Sequence, residues 1–293
     1  MRRYEVIAPA KVNLTLDVLA RRSDGFHEIA SLFAPITLAD RLEVAVGGDG
    51  IAVAVPGHPE LEGDGNLCAK AARAFAARTG LETSVQVTLH KQVPVAAGLG
   101  GGSSDAAAVL RCLARHHQLP VADVRIQAAA LDVGSDVPFF LRCEPAIARG
   151  RGELLAPAPQ LPPLYLLVIK PPFGVSAAEA YRALASMRGE GRLPAGREKP
   201  IPASIPDAAA LVRLLRNDLE APVASLHPIA GIKARLLAAG APAALMSGSG
   251  SCVFGLFGRP SDREICSKSI RLLPGEALFT AETLQAAPGL AET

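Results

Sequence analysis

The sequence predicts an α+β protein built as two lobes, and three observations carry that expectation. Strand-like alternation dominates the first ninety residues; a proline-rich stretch, PAPQLPP at 157–163, interrupts the chain near its middle; and the half beyond it alternates strand and helix signals. At roughly 100–200 residues per domain, 293 residues suit two domains. The boundary is expected near 155–163, separating a domain of residues 1–158 from one of 159–293.

Taken in order, Val12, Leu14, Leu16 and Val18 alternate with Asn13, Thr15 and Asp17, the period of two of a half-buried strand with its polar side in water. Residues 42–46 and 51–55 flank Gly-Gly-Asp-Gly and read as a hairpin. Residues 66–79 read as an Ala-rich helix stopped by Gly80. Val85, Val87 and Leu89 repeat the strand alternation just before Lys91. A second helix is expected from Ser103 and Ser104, capped by their hydroxyls, with Asp105 in its first turn and His116 and His117 at its end. Residues 124–131 continue helically toward Gly134, and 164–169 read as a buried strand. Ser176–Glu179 and Ser261–Glu264 match the capping box. Helices are expected over 207–216 and 228–239, and a mobile surface loop over 189–206.

Composition excludes several classes. Hydrophobic residues make up 49% and charged residues 20%, which rules out a disordered chain. A net charge of +2 and an aromatic content of 4% without Trp argue against nucleic-acid binding. No apolar run approaches membrane-spanning length, so a cytoplasmic protein with no membrane partner is expected. The five cysteines form no C-x-x-C pair, and all five are expected to be small buried hydrophobes.

The strongest chemical signal is PVAAGLGGGSSDAAA from Pro94 to Ala108, a glycine-rich loop after a strand and before a helix. Clustered glycines let backbone N–H groups converge on an anion, and a helix start adds positive potential. The Walker A pattern is absent because no Lys follows these glycines, and no dinucleotide-binding unit opens the chain. The run Met246-Ser-Gly-Ser-Gly-Ser251 is a candidate second wall of the same site. Lys11, flanked by Ala10 and Val12, is either a solvated strand residue or a fixed cation near phosphates. Asp136, in Gly-Ser-Asp-Val-Pro-Phe-Phe, is either a helix cap or a carboxylate placed to take a proton from a substrate hydroxyl. Ser23–Glu28 form a turn with a lone His27, and no zinc-ligand spacing occurs.

The motifs PAKVNLTLDV, RRSDGFHEI, PVAAGLGGGSSDAA, GSDVPFF and LMSGSGSCVF occur in this order between residues 8 and 256 and resemble those of the GHMP kinases. That resemblance implies a ribosomal-protein-S5-like nucleotide lobe followed by a ferredoxin-like lobe. It implies ATP- and Mg²⁺-dependent phosphorylation of the 2-hydroxyl of a small-molecule substrate, a CDP-linked methylerythritol, by a monomer or homodimer. By position, Asp136 is similar to the general base and Lys11 to its cationic partner. Pro94, Val95, Ala96, Ala97, Gly98, Leu99, Gly100, Gly101, Gly102, Ser103 and Ser104 resemble the ATP triphosphate loop, with Asn66, Gly248 and Gly250 as further nucleotide positions. Asn13, Phe26, His27 and Tyr181 resemble the acceptor site, His27 at the cytosine edge and Phe26 and Tyr181 on its faces. Relatives often carry Tyr where this chain has Phe26, which keeps the stacking face and loses a hydroxyl. No second carboxylate stands out for the metal, leaving Ser104 as the candidate ligand. The alternatives are a GHMP kinase for another small alcohol, such as homoserine or mevalonate, and a non-catalytic nucleotide-binding module, whose signature would be a missing Lys11 or Asp136.

Overall fold

In a computed structural model that describes residues 1–292, the two longest strands come first. β1 (Arg2–Arg21) and β2 (His27–Val46) pair antiparallel, with register shifts at Pro9/Ala10, Asn13/Thr15 and Val18/Arg21. Such irregularities bend a ribbon and re-aim its side chains. β3 (Ile51–Ala54), α1 (Leu67–Thr79), β4 (Val85–His90) and α2 (Gly101–His116) follow, then α3 (Val124–Val133), α4 (Val137–Arg142), β5 (Ala146–Gly150) and β6 (Leu154–Pro157). Past the prolines come β7 (Tyr165–Lys170), α5 (Ala177–Gly189), α6 (Ala208–Val212) and β8 (Arg216–Asn217). The chain then forms α7 (Glu220–Ala224), α8 (Ile229–Ala238), β9 (Ala243–Met246), β10 (Val253–Phe257), α9 (Pro260–Ser269), β11 (Ala277–Glu282) and β12 (Leu290–Glu292).

The strands make two sheets. The first has the order β12-β1-β2-β4-β3, with β5 and β6 added beside β2 and β8 parallel to β1. The second has the antiparallel order β11-β7-β10-β9. The amino-terminal half of the long ribbon packs on α1–α4 through Tyr4, Val6, Leu42 and Val44, and its other half packs on the second sheet through Val12, Leu14, Leu32 and Ile36. Along β7, Leu166 and Val168 face that inter-sheet core, while Leu167 and Ile169 face α5 and α8. The C-terminal strand β12 returns to the first sheet.

The packing overturns several local expectations. The polar side of β1 is not in water: Asn13, Thr15 and Asp17 are 2%, 0% and 1% exposed, because the second lobe closes over that face. Residues 42–55 form no hairpin. β4 pairs with β2 and β3 pairs with β4 in parallel; β3 buries only Val53, so it belongs at the edge, while Val85, Val87 and Leu89 fill the core. The 103–117 helix begins at Gly101 with Gly100 as its cap, and no side chain caps it. Ser176 Oγ does accept from Glu179 N at 3.1 Å, whereas Ser261 lies inside α9, which starts on Pro260 without a side-chain cap. The 207–216 helix stops at Val212. The 189–206 segment is an exposed surface loop that meets the rest of the fold where Lys199 N donates to Asp17 Oδ2 at 3.0 Å and Glu198 pairs with Arg149. All five cysteines are buried, and desolvation pushes the thiols of Cys112, Cys143 and Cys252 up to about 12.

Candidate active site

The register shift after Pro9 sets Lys11 on the buried side of β1, where it is 5% exposed. Its Nζ donates to Asn13 Oδ1 at 2.7 Å, lies 3.4 Å from Asp136 Oδ2 and sits 4.4 Å from the Phe33 ring centre. Asn13 is held in turn by its own donation to Ser31 Oγ at 2.9 Å. Asp136 occupies the cap position of α4, but its side chain caps nothing and remains 29% exposed toward the cleft. A solvated Lys and a capping Asp are therefore both excluded at these positions.

The glycine loop crosses above this pair. Gly98 and Gly100 have φ of +75° and +71°, the left-handed region that side chains rarely adopt. A Cβ on Gly98 would overlap the Ser247 carbonyl, and one on Gly100 would lie 2.9 Å from the Phe140 ring. The loop is pinned from three directions: Lys11 N donates to Leu99 O at 2.9 Å, Ser247 Oγ to Gly98 O at 2.9 Å and Cys252 N to Ala97 O at 3.1 Å. The 247–252 loop, between β9 and β10, is thus packed directly on the glycine loop, as a second wall requires.

Two cavities meet at this loop. One, about 710 Å³, is lined by Lys11, Asn13, Asp136, Phe26, His27, Tyr181 and Gly248. The other, about 490 Å³, is lined by Asn66 and by 94–103. Gly98, Gly100 and Ser103 line both, so an anion on the loop amides can be reached from either side. Asn66 also caps α1, accepting from Cys68 N at 2.8 Å and donating to Leu61 O at 2.8 Å. Gly250 is left-handed, its Cβ position directed at Met246 Sδ, and it lines neither cavity. Ser104 is buried inside α2 and also lines neither. Among the described residues no three His, Cys, Asp or Glu side chains converge, so the protein offers no metal cage of its own.

At the far end of the larger cavity, the His27 ring stacks on Tyr181 with centres 5.0 Å apart and planes at 19°. Phe26, 53% exposed, lies under the Arg151 guanidinium at 4.9 Å. Phe26, His27 and Tyr181 are brought together along one cavity with Asn13, but Tyr181 stacks on His27 and not on Phe26. Burial, with Arg188 and Arg21 nearby, holds the His27 pKa below its ordinary value, and burial beside Asp136 pushes Tyr181 up to about 12. Both side chains are neutral at physiological pH, and the ring nitrogens of His27 can donate and accept at once.

Three groups of residues escape sequence reasoning. Arg151 follows Gly150, whose N donates to Glu28 Oε1 at 2.9 Å, so the 150–153 turn is locked to the 22–28 turn. Lys91, beneath the glycine loop, donates to Asp40 at 2.5 Å and Asp105 at 2.9 Å, and Asp40 also accepts from Gln92 N and Val93 N. Burial and Asp40 raise the Asp105 pKa to about 8 against the pull of Lys91, and its Oδ1 has no partner. Burial opposes the Lys91 charge, yet Asp105 and Asp40 together raise its pKa. The third group is Arg216-Asn217-Asp218-Leu219-Glu220, four polar residues in five between helical segments. That density was a visible signal; Asp40 within β2 and Lys91 just past β4 were fainter ones.

A left-handed glycine loop at a helix start, facing a buried Lys and an exposed Asp across a shared wall, defines a kinase-type site. Residues 66–144 match the model of the GHMP kinases N terminal domain, and residues 203–271 that of the GHMP kinases C terminal. A 4-diphosphocytidyl-2-C-methyl-D-erythritol kinase of Anaeromyxobacter sp. (strain Fw109-5) is 44% identical over 98% of this chain and 94% of its own length. A crystal structure of 4-(cytidine 5'-diphospho)-2C-methyl-D-erythritol kinase superposes with a TM-score of 0.75 at 37% identity, covering 97% of this chain and 100% of that one. Homoserine kinase from Cytophaga hutchinsonii ATCC 33406 shares the fold at 16% identity and a TM-score of 0.70, over 99% of this chain and 97% of its own. The chain belongs to the GHMP kinases, within the family of 4-diphosphocytidyl-2-C-methyl-D-erythritol kinases.

Proposed function

We propose that the protein transfers the γ-phosphoryl group of ATP to the 2-hydroxyl of 4-diphosphocytidyl-2-C-methyl-D-erythritol, releasing ADP. The observation that carries this reading is the shared wall: Gly98, Gly100 and Ser103 border both the cavity of the glycine loop and the cavity of Lys11 and Asp136. ATP bound by 94–103 with Asn66 directs its terminal phosphate toward the shared residues Gly98, Gly100 and Ser103. Phosphoryl transfer asks mainly for alignment and for stabilisation of charge on the transferred group. Loop amides at the start of α2 supply the stabilisation. Asp136 accepts the hydroxyl proton, and Lys11, 3.4 Å away, stabilises the forming alkoxide.

The acceptor's cytosine takes the aromatic end of the cavity, with Phe26 and Tyr181 offering ring faces and neutral His27 reading the base edge. Mg²⁺ bound with ATP would neutralise charge on the phosphates at the glycine loop, where Ser103 lines both cavities. No helix of the described residues is long and apolar enough to cross a membrane, which suits a small-molecule kinase of the cytoplasm. The domain division at 158/159 falls between the two matched segments and just before the second sheet.

The test is incubation with ATP, Mg²⁺ and the CDP-linked alcohol, followed by phosphorus NMR. A new phosphomonoester on the 2-hydroxyl, with stoichiometric ADP, is expected. Turnover of homoserine or mevalonate with none of the CDP-linked alcohol would overturn the acceptor assignment.

A further inference from the structure

The segment 216–220 leaves the helices of the second lobe, runs beside β1 as the short parallel strand β8 and turns back. Its four polar side chains grip two elements, β1 and the end of β9 with the loop that follows it. Arg216 holds Asp17, Asp218 accepts from Val18 N at 3.0 Å, and Glu220 accepts from Met246 N at 2.8 Å. Asn217 reaches the 247–252 loop. Its Nδ2 donates to Met246 O and to Gly248 O, both at 2.8 Å, while its Oδ1 accepts from Leu219 N at 2.9 Å. Both amide hydrogens and the carbonyl oxygen are engaged, which fixes the orientation of the amide.

What Asn217 holds is the wedge between the two halves of the site. A Cβ on Gly248 would stand 3.0 Å from Gly98 O and 3.2 Å from Asn13 Oδ1. Gly248 therefore touches the glycine loop on one side and, on the other, the oxygen that binds Lys11 Nζ at 2.7 Å. The loop lies between strands of the second sheet, whereas Lys11 lies on the first. Asn217, on β8 of the first sheet, joins them, alongside Ser247 Oγ, which accepts from Asn13 N at 3.4 Å.

We infer that Asn217 is a positioning residue for phosphoryl transfer: by holding the carbonyls of Met246 and Gly248 it sets the spacing between the glycine loop and the Lys11–Asp136 pair. This rests on the kinase reading. Asn217 lines neither cavity, so its effect runs through alignment and leaves the contacts that bind ATP and acceptor in place. Displacements on the order of 1 Å can cost about 100-fold in rate.

Asn217→Asp keeps the Leu219 contact, loses both donated bonds and faces two carbonyls with a carboxylate; Asn217→Ala removes the donors without adding charge. In the full chain, both variants are expected to lose about 10–100-fold in kcat, with KM for ATP and for the acceptor held within about threefold. Deuterium uptake is expected to speed up across 247–252 and to stay unchanged across 85–90. A kcat within twofold of the parent in either variant overturns the inference. So does a fall in kcat accompanied by faster uptake throughout both lobes, which is the mark of a merely structural residue. A parent enzyme that fails to turn over the CDP-linked alcohol sinks the acceptor assignment instead, and the uptake comparison then still decides the role of Asn217.

Discussion

The Lys11 ammonium stands 3.4 Å from a carboxylate oxygen of Asp136, although one sits on the first strand and the other at the start of the fourth helix. The Lys is buried and the Asp faces the cleft, so the pair joins a fixed charge to a reachable base. Asp136→Asn should lower kcat by about 100-fold or more, since an amide cannot take the proton. Nucleotide affinity, measured by equilibrium binding of a non-hydrolysable ATP analogue, should change by less than about threefold. Lys11→Ala should be similarly damaging. Unaltered turnover in either variant removes that residue from the mechanism.

Gly98 is closed to any side chain, both by its positive φ and by the Ser247 carbonyl at its Cβ position. Gly98→Ala should cost at least about 1–2 kcal/mol from backbone conformation alone, with the overlap adding to it. The loop should shift away from 247–252, raising KM for ATP by about tenfold or more. Thermal unfolding and nucleotide titration together check this; a variant with the parent Tm and ATP affinity would show that the close approach is dispensable.

The buried Asp40–Lys91–Asp105 group gives a pH dependence of stability. The Asp105 pKa is raised from 3.8 to about 8 in the fold, so the native state keeps a proton that the unfolded chain releases. This contribution is full below about pH 4 and is lost as pH rises through 8. Asp105→Asn, which mimics the protonated carboxyl, should flatten the decline in Tm between about pH 4 and 8. An unchanged slope would mean that Asp105 is ionised throughout. Lys91→Met leaves the buried Asp40 without its cation and should cost about 3–5 kcal/mol.

Tyr181 stacks on His27 at the acceptor end and lies outside the nucleotide cavity. Base–aromatic stacking is worth about 1–3 kcal/mol. Tyr181→Ala should therefore raise KM for the CDP-linked alcohol by about 5–150-fold while KM for ATP holds. Equal losses for both substrates would place Tyr181 in the scaffold and not in the acceptor pocket.

The local chemistry of the site was legible in the chain. Gly98 and Gly100 announce a loop that only glycine can trace, and Lys11, Asp136, Phe26 and His27 stand in motifs whose order identifies a kinase family. Alternation correctly marked the inward residues of β1 and β4, because a strand's period of two is a property of the backbone itself. Tertiary structure alone decided what met the other face. Asn13, Thr15 and Asp17 read as a wetted edge, and only the second lobe's arrival turns them into a buried polar seam. The β3–β4 pairing, the return of β12 to β1 and the grip of Asn217 on Gly248 all join residues far apart in sequence. Such contacts depend on which surfaces bury one another after the chain collapses, and no local pattern of residues encodes that choice.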